Sequence, residues 1–351
     1  MKDQRLFGAG AVIVLAGTIA MVSAARTLNP SLAIRHAVYS LLGMAVFFAA
    51  SRVSYRRWTD MAIIMYGLAV ATLLLVEVAG ATRLGATRWL SVFGVSLQPS
   101  ELAKCSLTLL LAQYLAGQPV PLPARSLVIS LALVGVPALL IFLQPDLGSA
   151  SILCAIWLGM VWVAGISPRA LLGLSGIVLA VLPVGWHALK GYQRDRLMAF
   201  IDPHADPLGA GYTIIQSTIA IGSGRWWGRG WFSGTQNQLS FLPERHSDFI
   251  FSVIGEEWGF LGCLVVVMAF GVLLFEVGRI ALNTSEPQAR LLAAGMFSWL
   301  AYQSFVNIGM VMGLLPVVGV PLPLVSYGGS SMVTVWFALG LLENVRRVDH
   351  L

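Results

Sequence analysis

Charge is scarce in this chain. Of 351 residues only 11% are Asp, Glu, Lys or Arg, 57% are hydrophobic, and mean hydropathy is +0.80. Water-soluble domains carry about 25% charged residues, so a soluble globular fold is excluded. Cysteine is nearly absent as well. Cys105, Cys154 and Cys263 stand far apart inside apolar runs, a spacing that fits neither a disulfide framework nor a zinc site. No HExxH pattern, Walker A loop, nucleophile elbow or dinucleotide fingerprint occurs, which leaves the matching soluble-enzyme chemistries unsupported. The formal charge of +6 does not indicate a nucleic-acid partner, because the basic residues are mostly arginines in short loops.

What is present is a series of apolar runs near the ~20 residues needed to cross a bilayer. They predict an all-α polytopic membrane protein with ten spans: Leu6–Ala25, Leu32–Ala50, Met61–Ala79, Pro99–Leu115, Leu127–Leu143, Ser149–Ala164, Ala170–Leu189, Phe249–Val277, Ala289–Leu314 and Ser331–Val345. The first run follows Met1-Lys-Asp-Gln-Arg5 and reads as a retained span, from its length and the lack of a convincing small-residue cleavage site. One set of loops carries Lys2, Arg5, Arg52, Arg56, Arg57, Arg125, Arg169, Arg279, Arg290, Arg346 and Arg347. The short loops of the other set hold mainly Arg26, Arg83 and Arg88, and two of them have no basic residue. By the positive-inside rule both termini are cytoplasmic, and the long loop of about 190–247 lies outside. With no soluble segment, residues 1–351 read as one transmembrane domain.

Two outer loops, Ala79 to Ser100 and Gly313 to Ser331, are too polar or too rich in proline to span, so they are expected to dip into the bundle. In the long loop, Trp226, Trp227 and Trp231 suit the headgroup layer, and Gly211–Ile221 predicts a short interfacial helix.

The ionisable residues near that face are the functional candidates. Asp248 stands where the long loop enters the eighth span, with Glu256 and Glu257 two turns further in, and a carboxylate at a helix mouth is costly unless it has a task. Glu101 and Lys104 share a helix face, either as a structural ion pair or with Lys104 offering its ammonium to an anionic substrate. Lys190, Arg194 and Arg196, like Arg88, suit either lipid phosphates or a phosphorylated substrate. Asp146 reads as a helix cap, while His36 and Glu77 read as satisfied polar residues.

Gly85-Ala-Thr-Arg-Trp-Leu90, Gln98-Pro-Ser-Glu-Leu-Ala-Lys104, Gln144-Pro-Asp-Leu-Gly148, Gly211-Tyr212 with Gln216-Ser217, Leu242-Pro-Glu-Arg-His-Ser-Asp-Phe249, Glu256-Glu257 and Gly319-Val-Pro-Leu-Pro-Leu-Val-Ser-Tyr-Gly-Gly-Ser-Ser331 together resemble the SEDS family (shape, elongation, division and sporulation) over essentially the whole chain. The short amino terminus resembles its RodA-type members more than its FtsW-type ones. The resemblance implies a peptidoglycan glycosyltransferase that polymerises lipid II at the outer face of the bacterial cytoplasmic membrane. It also implies a class B penicillin-binding protein (a transpeptidase) and other elongation-complex proteins as partners.

Lipid II carries its sugar on a pyrophosphate, a leaving group that needs charge neutralisation more than a proton. One carboxylate with cations is therefore a sufficient set. On its place and its match to the family's essential aspartate, Asp248 is the expected base. Lys104, Arg194, Arg196 and Arg88 are expected on pyrophosphate, with Glu101 orienting Lys104 and the amides of Ser326 to Ser331, Ser330 included, adding an anion nest. Glu256 and Glu257 stand between two readings, ligands of a divalent cation or buried hydrogen-bond acceptors; no organic cofactor is expected. A lipid II transporter and a scaffold that activates a penicillin-binding protein are the rival functions.

Overall fold

The computed structural model describes residues 5–79, 81–83, 86–92 and 95–348; Lys2, Gly80, Gly85, Phe93 and Gly94 lie outside the described residues. The chain folds as α1 (Arg5–Ala25), α2 (Ser31–Arg52), α3 (Tyr55–Asp60), α4 (Ala62–Ala79), β1 (Ala81–Arg83), β2 (Ala86–Val92), β3 (Val95–Leu97), α5 (Pro99–Ala116), α6 (Ala124–Leu143), α7 (Leu147–Val163) and α8 (Pro168–Ala188). Then come α9 (Gly191–Ile201), α10 (Tyr212–Gly224), α11 (Thr235–Gln238), α12 (Ile250–Asn283), α13 (Pro287–Val311) and α14 (Gly329–Val348). Each predicted span coincides with one long helix. Five of them (α1, α2, α6, α12 and α13) are long and apolar enough to cross a membrane by length and composition, and α4 and α7 contribute shorter apolar helices. The protein is a multi-pass helical membrane protein.

Helix starts follow ordinary capping chemistry. Pro99, Pro168 and Pro287 open α5, α8 and α13, where a missing amide hydrogen costs nothing. The Ser167 hydroxyl accepts from Ala170 N. At the centre, α13 packs on α12, α7 and α5, and α5 on α4 and α7. Most of α5 is buried, and 67% of the apolar window of α13 is enclosed by protein, against 22% in α2. The buried polar residues of these two inner helices, among them Glu101, Lys104, Gln303 and Asn307, therefore face other protein groups.

The outer loops differ in kind. Where a dipping loop was expected before α5, the chain forms an antiparallel meander, β1-β2-β3, with Ala81 opposite Trp89 and Leu90 opposite Leu97. Thr82, Thr87, Trp89, Val92 and Val95 favour strands, and the meander pairs its own backbone groups. The 312–328 segment has no regular structure, yet Val320, Leu322, Leu324, Val325 and Ser326 are buried. This is irregular backbone enclosed by protein, as its prolines foretold.

The long loop holds three short helices, α9 to α11; α10 includes the predicted interfacial helix, and Trp226, Trp227 and Trp231 are exposed. The loop also enters a break in α12. Gly259 has φ +67°, which ends one helical segment and starts another. Phe260 N and Leu261 N, freed by the break, donate to Arg225 O (2.7 Å) and Trp226 O (3.2 Å). In return Arg229 N and Gly230 N donate to Glu256 O (2.9 Å) and Glu257 O (3.1 Å). A Cβ at Gly259 would lie 2.3 Å from Gly228 N, so only glycine allows this approach. The insertion fixes the short helical stretch that begins beside Asp248.

Candidate active site

Asp248 sits in the turn before α12, partly exposed between Ser247 and buried Phe249. Its surroundings are set by three elements far apart in sequence. The Asn307 side-chain amide on α13 donates to Asp248 O (2.8 Å) and to Val320 O (2.7 Å), tying the turn to the irregular 312–328 segment. Ser326 Oγ donates to Ser247 O (2.6 Å), and Tyr327 N donates to His246 O (2.9 Å). Gly319, at φ +72°, lies against the carboxylate, for a Cβ there would stand 3.5 Å from Asp248 Oδ2. On the other side of this segment, a Cβ at Gly148 would come 2.8 Å from Val318 O, so the Gln144–Gly148 turn backs it closely.

Beside this wall runs a cleft lined by Arg196, Tyr192, Pro145, Leu147, Val317 and Val318. Arg196 is exposed, with its guanidinium 5.8 Å from the Tyr192 ring centroid. A cation thus shares a cleft with Val317 and Val318, which directly precede Gly319, the glycine whose open side faces the Asp248 carboxylate. Arg194 takes another part. Its Nε and Nη2 donate to Trp186 O (3.0 Å) and His187 O (2.7 Å), which closes the end of α8. The side chain of Arg88 lies outside the described residues, though its backbone belongs to β2.

Lys104 and Glu101 pair at 2.7 Å, each about 1% exposed. Lys104 Nζ also donates to Gln303 Oε1 (3.1 Å) and lies 5.0 Å from the Trp299 ring centroid. Gln303 Nε2 donates to Pro321 O (2.8 Å). In this arrangement the ammonium is enclosed and committed, and it reaches the 319–321 segment only through Gln303. Gln303 and Asn307 were not singled out in the sequence. Two amides four residues apart in an apolar run share one helix face, which was the available signal.

The anion nest expected from Ser326 to Ser331 is corrected in part. Ser326 N donates to Leu322 O and Tyr327 N to His246 O, so those amides are taken, and Ser326 Oγ holds the site together. Ser330 Oγ accepts from Gln98 N (3.1 Å) and donates to Ser96 O (3.2 Å), joining the start of α14 to the start of α5.

Glu256 and Glu257 are buried clamps. Glu256 Oε1 accepts from Gln236 N (2.9 Å) and Thr235 Oγ1 (3.2 Å), and its Oε2 accepts from Asn237 N (3.2 Å), which caps α11. Glu257 Oε1 accepts from Ser23 Oγ and from Asn237 Nδ2 (3.1 Å). Among the described residues no group of three or more His, Cys, Asp or Glu is disposed to hold a metal ion. Asp146 caps α7, accepting from Ser149 N (3.0 Å) and Ser149 Oγ (2.9 Å). Arg245, only 1% exposed, donates to Ala24 O, Asn237 O and Thr27 Oγ1, and so locks the turn before Asp248 to α1 and α11. His246 has its pKa held below the ordinary 6.5 chiefly by burial, with Glu244 pulling it up and Arg245 pushing it further down.

Known proteins show the same arrangement of chain. The chain is 40% identical over 306 residues to the peptidoglycan glycosyltransferase MrdB of Escherichia coli, covering 87% of this chain and 82% of that one. The crystal structure of the rod shape determining protein RodA of Thermus thermophilus superposes with a TM-score of 0.75 at 30% identity, covering 99% of this chain and 98% of that one. A chain solved in a peptidoglycan synthase complex that coordinates polymerisation and crosslinking superposes with a TM-score of 0.87 at 34% identity and the same coverage. The family of cell cycle proteins that comprises FtsW, RodA and SpoVE matches residues 5–350, and the chain belongs to it.

Proposed function

We propose that this protein is a peptidoglycan glycosyltransferase that polymerises lipid II into glycan strands, with Asp248 as general base. The observation that carries the reading is the placement of the Asp248 carboxylate against Gly319, beside a cleft that presents Arg196. Asp248 takes the proton from the 4-hydroxyl of an acceptor N-acetylglucosamine as that oxygen attacks the anomeric carbon of the donor. The bond to undecaprenyl pyrophosphate breaks as the glycosidic bond forms, and the anomeric configuration inverts. Arg196 faces the pyrophosphate, joined by Arg88, and the leaving group departs as a stabilised anion without a second carboxylate. Lys104 and Glu101 act from behind, through Gln303, on the segment that shapes the wall.

In this reading all ten long helices span the bacterial cytoplasmic membrane as one domain. Both termini lie in the cytoplasm, and the site opens on the outer face, where lipid II is delivered. A class B penicillin-binding protein is the partner that crosslinks the product, in line with the relative solved within a peptidoglycan synthase complex. The test uses purified protein with and without that transpeptidase, labelled lipid II, and gel separation of glycan chains. Wild type makes polymer. Asp248→Asn folds and binds its partner but loses polymerisation by about 10²-fold or more. Polymer from Asp248→Asn at wild-type rates removes the base assignment, and labelled lipid crossing the membrane with no polymer at all favours a transporter.

A further inference from the structure

Resting on Asp248 as the base, we infer that Asn307 is the positioning residue that sets where its carboxylate stands. Asn307 is fully buried on α13 and spends both donors of one side-chain amide on two carbonyls, those of Asp248 (2.8 Å) and Val320 (2.7 Å). These carbonyls belong to the two walls of the site. Asp248 O begins the turn into α12, and Val320 O follows Gly319, where a Cβ would stand 3.5 Å from the carboxylate. A planar amide with two hydrogens has a fixed span, so the separation of the walls is set by one group. Among the described residues Asn307 Oδ1 is buried and accepts no hydrogen bond, and such a group is expensive in a core. A residue kept only for packing would be better served by leucine, which has similar bulk and no polar atoms. Gln303, one turn earlier, holds the next carbonyl, Pro321 O (2.8 Å), so α13 braces the segment at two adjacent points.

A matched control exists at the other end of the bundle. Asn344 on α14 is also a buried asparagine that bridges backbone groups, accepting from Tyr55 N (2.9 Å) and donating to Ser51 O (3.0 Å), with no connection to the site. Asn307→Leu and Asn344→Leu should therefore lose similar thermal stability, and only the first should lose turnover. For Asn307→Leu we expect kcat to fall by at least about tenfold, because a misplacement of roughly 1 Å can cost 10²-fold, while KM for lipid II changes by less than about threefold. In an Asp248→Asn background, Asn307→Leu should lower the residual rate no further, because the group it positions is gone. Should Asn307→Leu fail to fold, Asn307→Gln keeps the amide on a longer arm and should give folded protein with the same split between kcat and KM. Wild-type kcat in the folded Asn307 variant, or a rate loss that only tracks folded protein as in Asn344→Leu, overturns the inference. The base assignment fails separately, when Asp248→Asn itself remains active.

Discussion

The two ends of the bundle handle charge in opposite ways. Where α1 begins and α14 ends, acids meet arginines: Glu276 with Arg5 (3.5 Å), Glu286 with Arg56 (2.9 Å), and Glu343 with Arg346 (2.9 Å) and Arg347 (3.2 Å). At the loop-rich end the charges are solvated by neutral dipoles. Glu256 accepts from two backbone amides and a hydroxyl, Asp146 from Ser149, and Glu257 from a serine and an asparagine. Arg194 and Arg245 donate there to carbonyls and a hydroxyl. A close ion pair cancels its own field, whereas a charge held by neutral groups keeps most of its field. The first arrangement is a fastening, and the second leaves electrostatics available to a charged substrate. Glu101–Lys104 is the exception at the loop-rich end, and it is correspondingly enclosed.

That contrast can be tested in stability as well as in activity. The largest effect is expected at the break in α12. Gly259→Ala places a Cβ at positive φ, 2.3 Å from Gly228 N, and should cost about 3 kcal/mol or more. Gly278→Ala, further along the same helix, meets only Phe297 at 3.4 Å and should be close to neutral. Thermal unfolding of the two variants in one detergent decides the matter, and equal losses would mean that the inserted loop does not hold α12.

An intermediate effect is expected from acid. His246 binds its proton less readily folded than unfolded, so its contribution is complete above 6.5 and is lost as pH falls below that value. Glu286 at the other end behaves differently. Burial pushes its pKa up, but hydrogen bonds from Arg56 and Tyr55 win and hold it below the ordinary 4.5, so its contribution persists to lower pH. Hydrogen-exchange protection, taken relative to the intrinsic rate at each pH, should therefore fall between pH 6.5 and 4.5 in residues 241–249 while it holds in residues 284–290. The smallest effect should come from Arg56→Ala, since that side chain is exposed and such ion pairs contribute little. Its melting temperature should match wild type, and a clear drop would show that this end depends on the pair.

Much of this molecule is legible residue by residue. Apolar runs of membrane length mark the long helices, Pro99 and Asp146 mark helix starts, and the prolines between Gly313 and Ser331 mark irregular backbone. Asp248 stands out because it is a carboxylate where a polar loop meets an apolar helix. Each of these features depends on neighbours within a few positions, which is where sequence carries direct physical information. The small meander before α5 escaped notice because its strands are short, three to seven residues, and broken by glycines.

By itself, then, the sequence determined a bundle of membrane helices, the places where backbone must leave helical form, and the motif positions that mark the family. Only the tertiary structure decided what each buried polar side chain does. Lys104 could have faced a cavity, but the packing of α5 on α13 brings Gln303 to the ammonium that Glu101 already pairs on its own helix. Glu256 could have faced an ion, but the inserted loop presents amide hydrogens to it. Asn307 looked like one more residue of an apolar run until α13 brought it between Asp248 and Val320. The reason is common to all three. A hydrogen bond needs its partner within about 3 Å, and for residues far apart in the chain that distance follows from how helices pack, not from local order in the sequence.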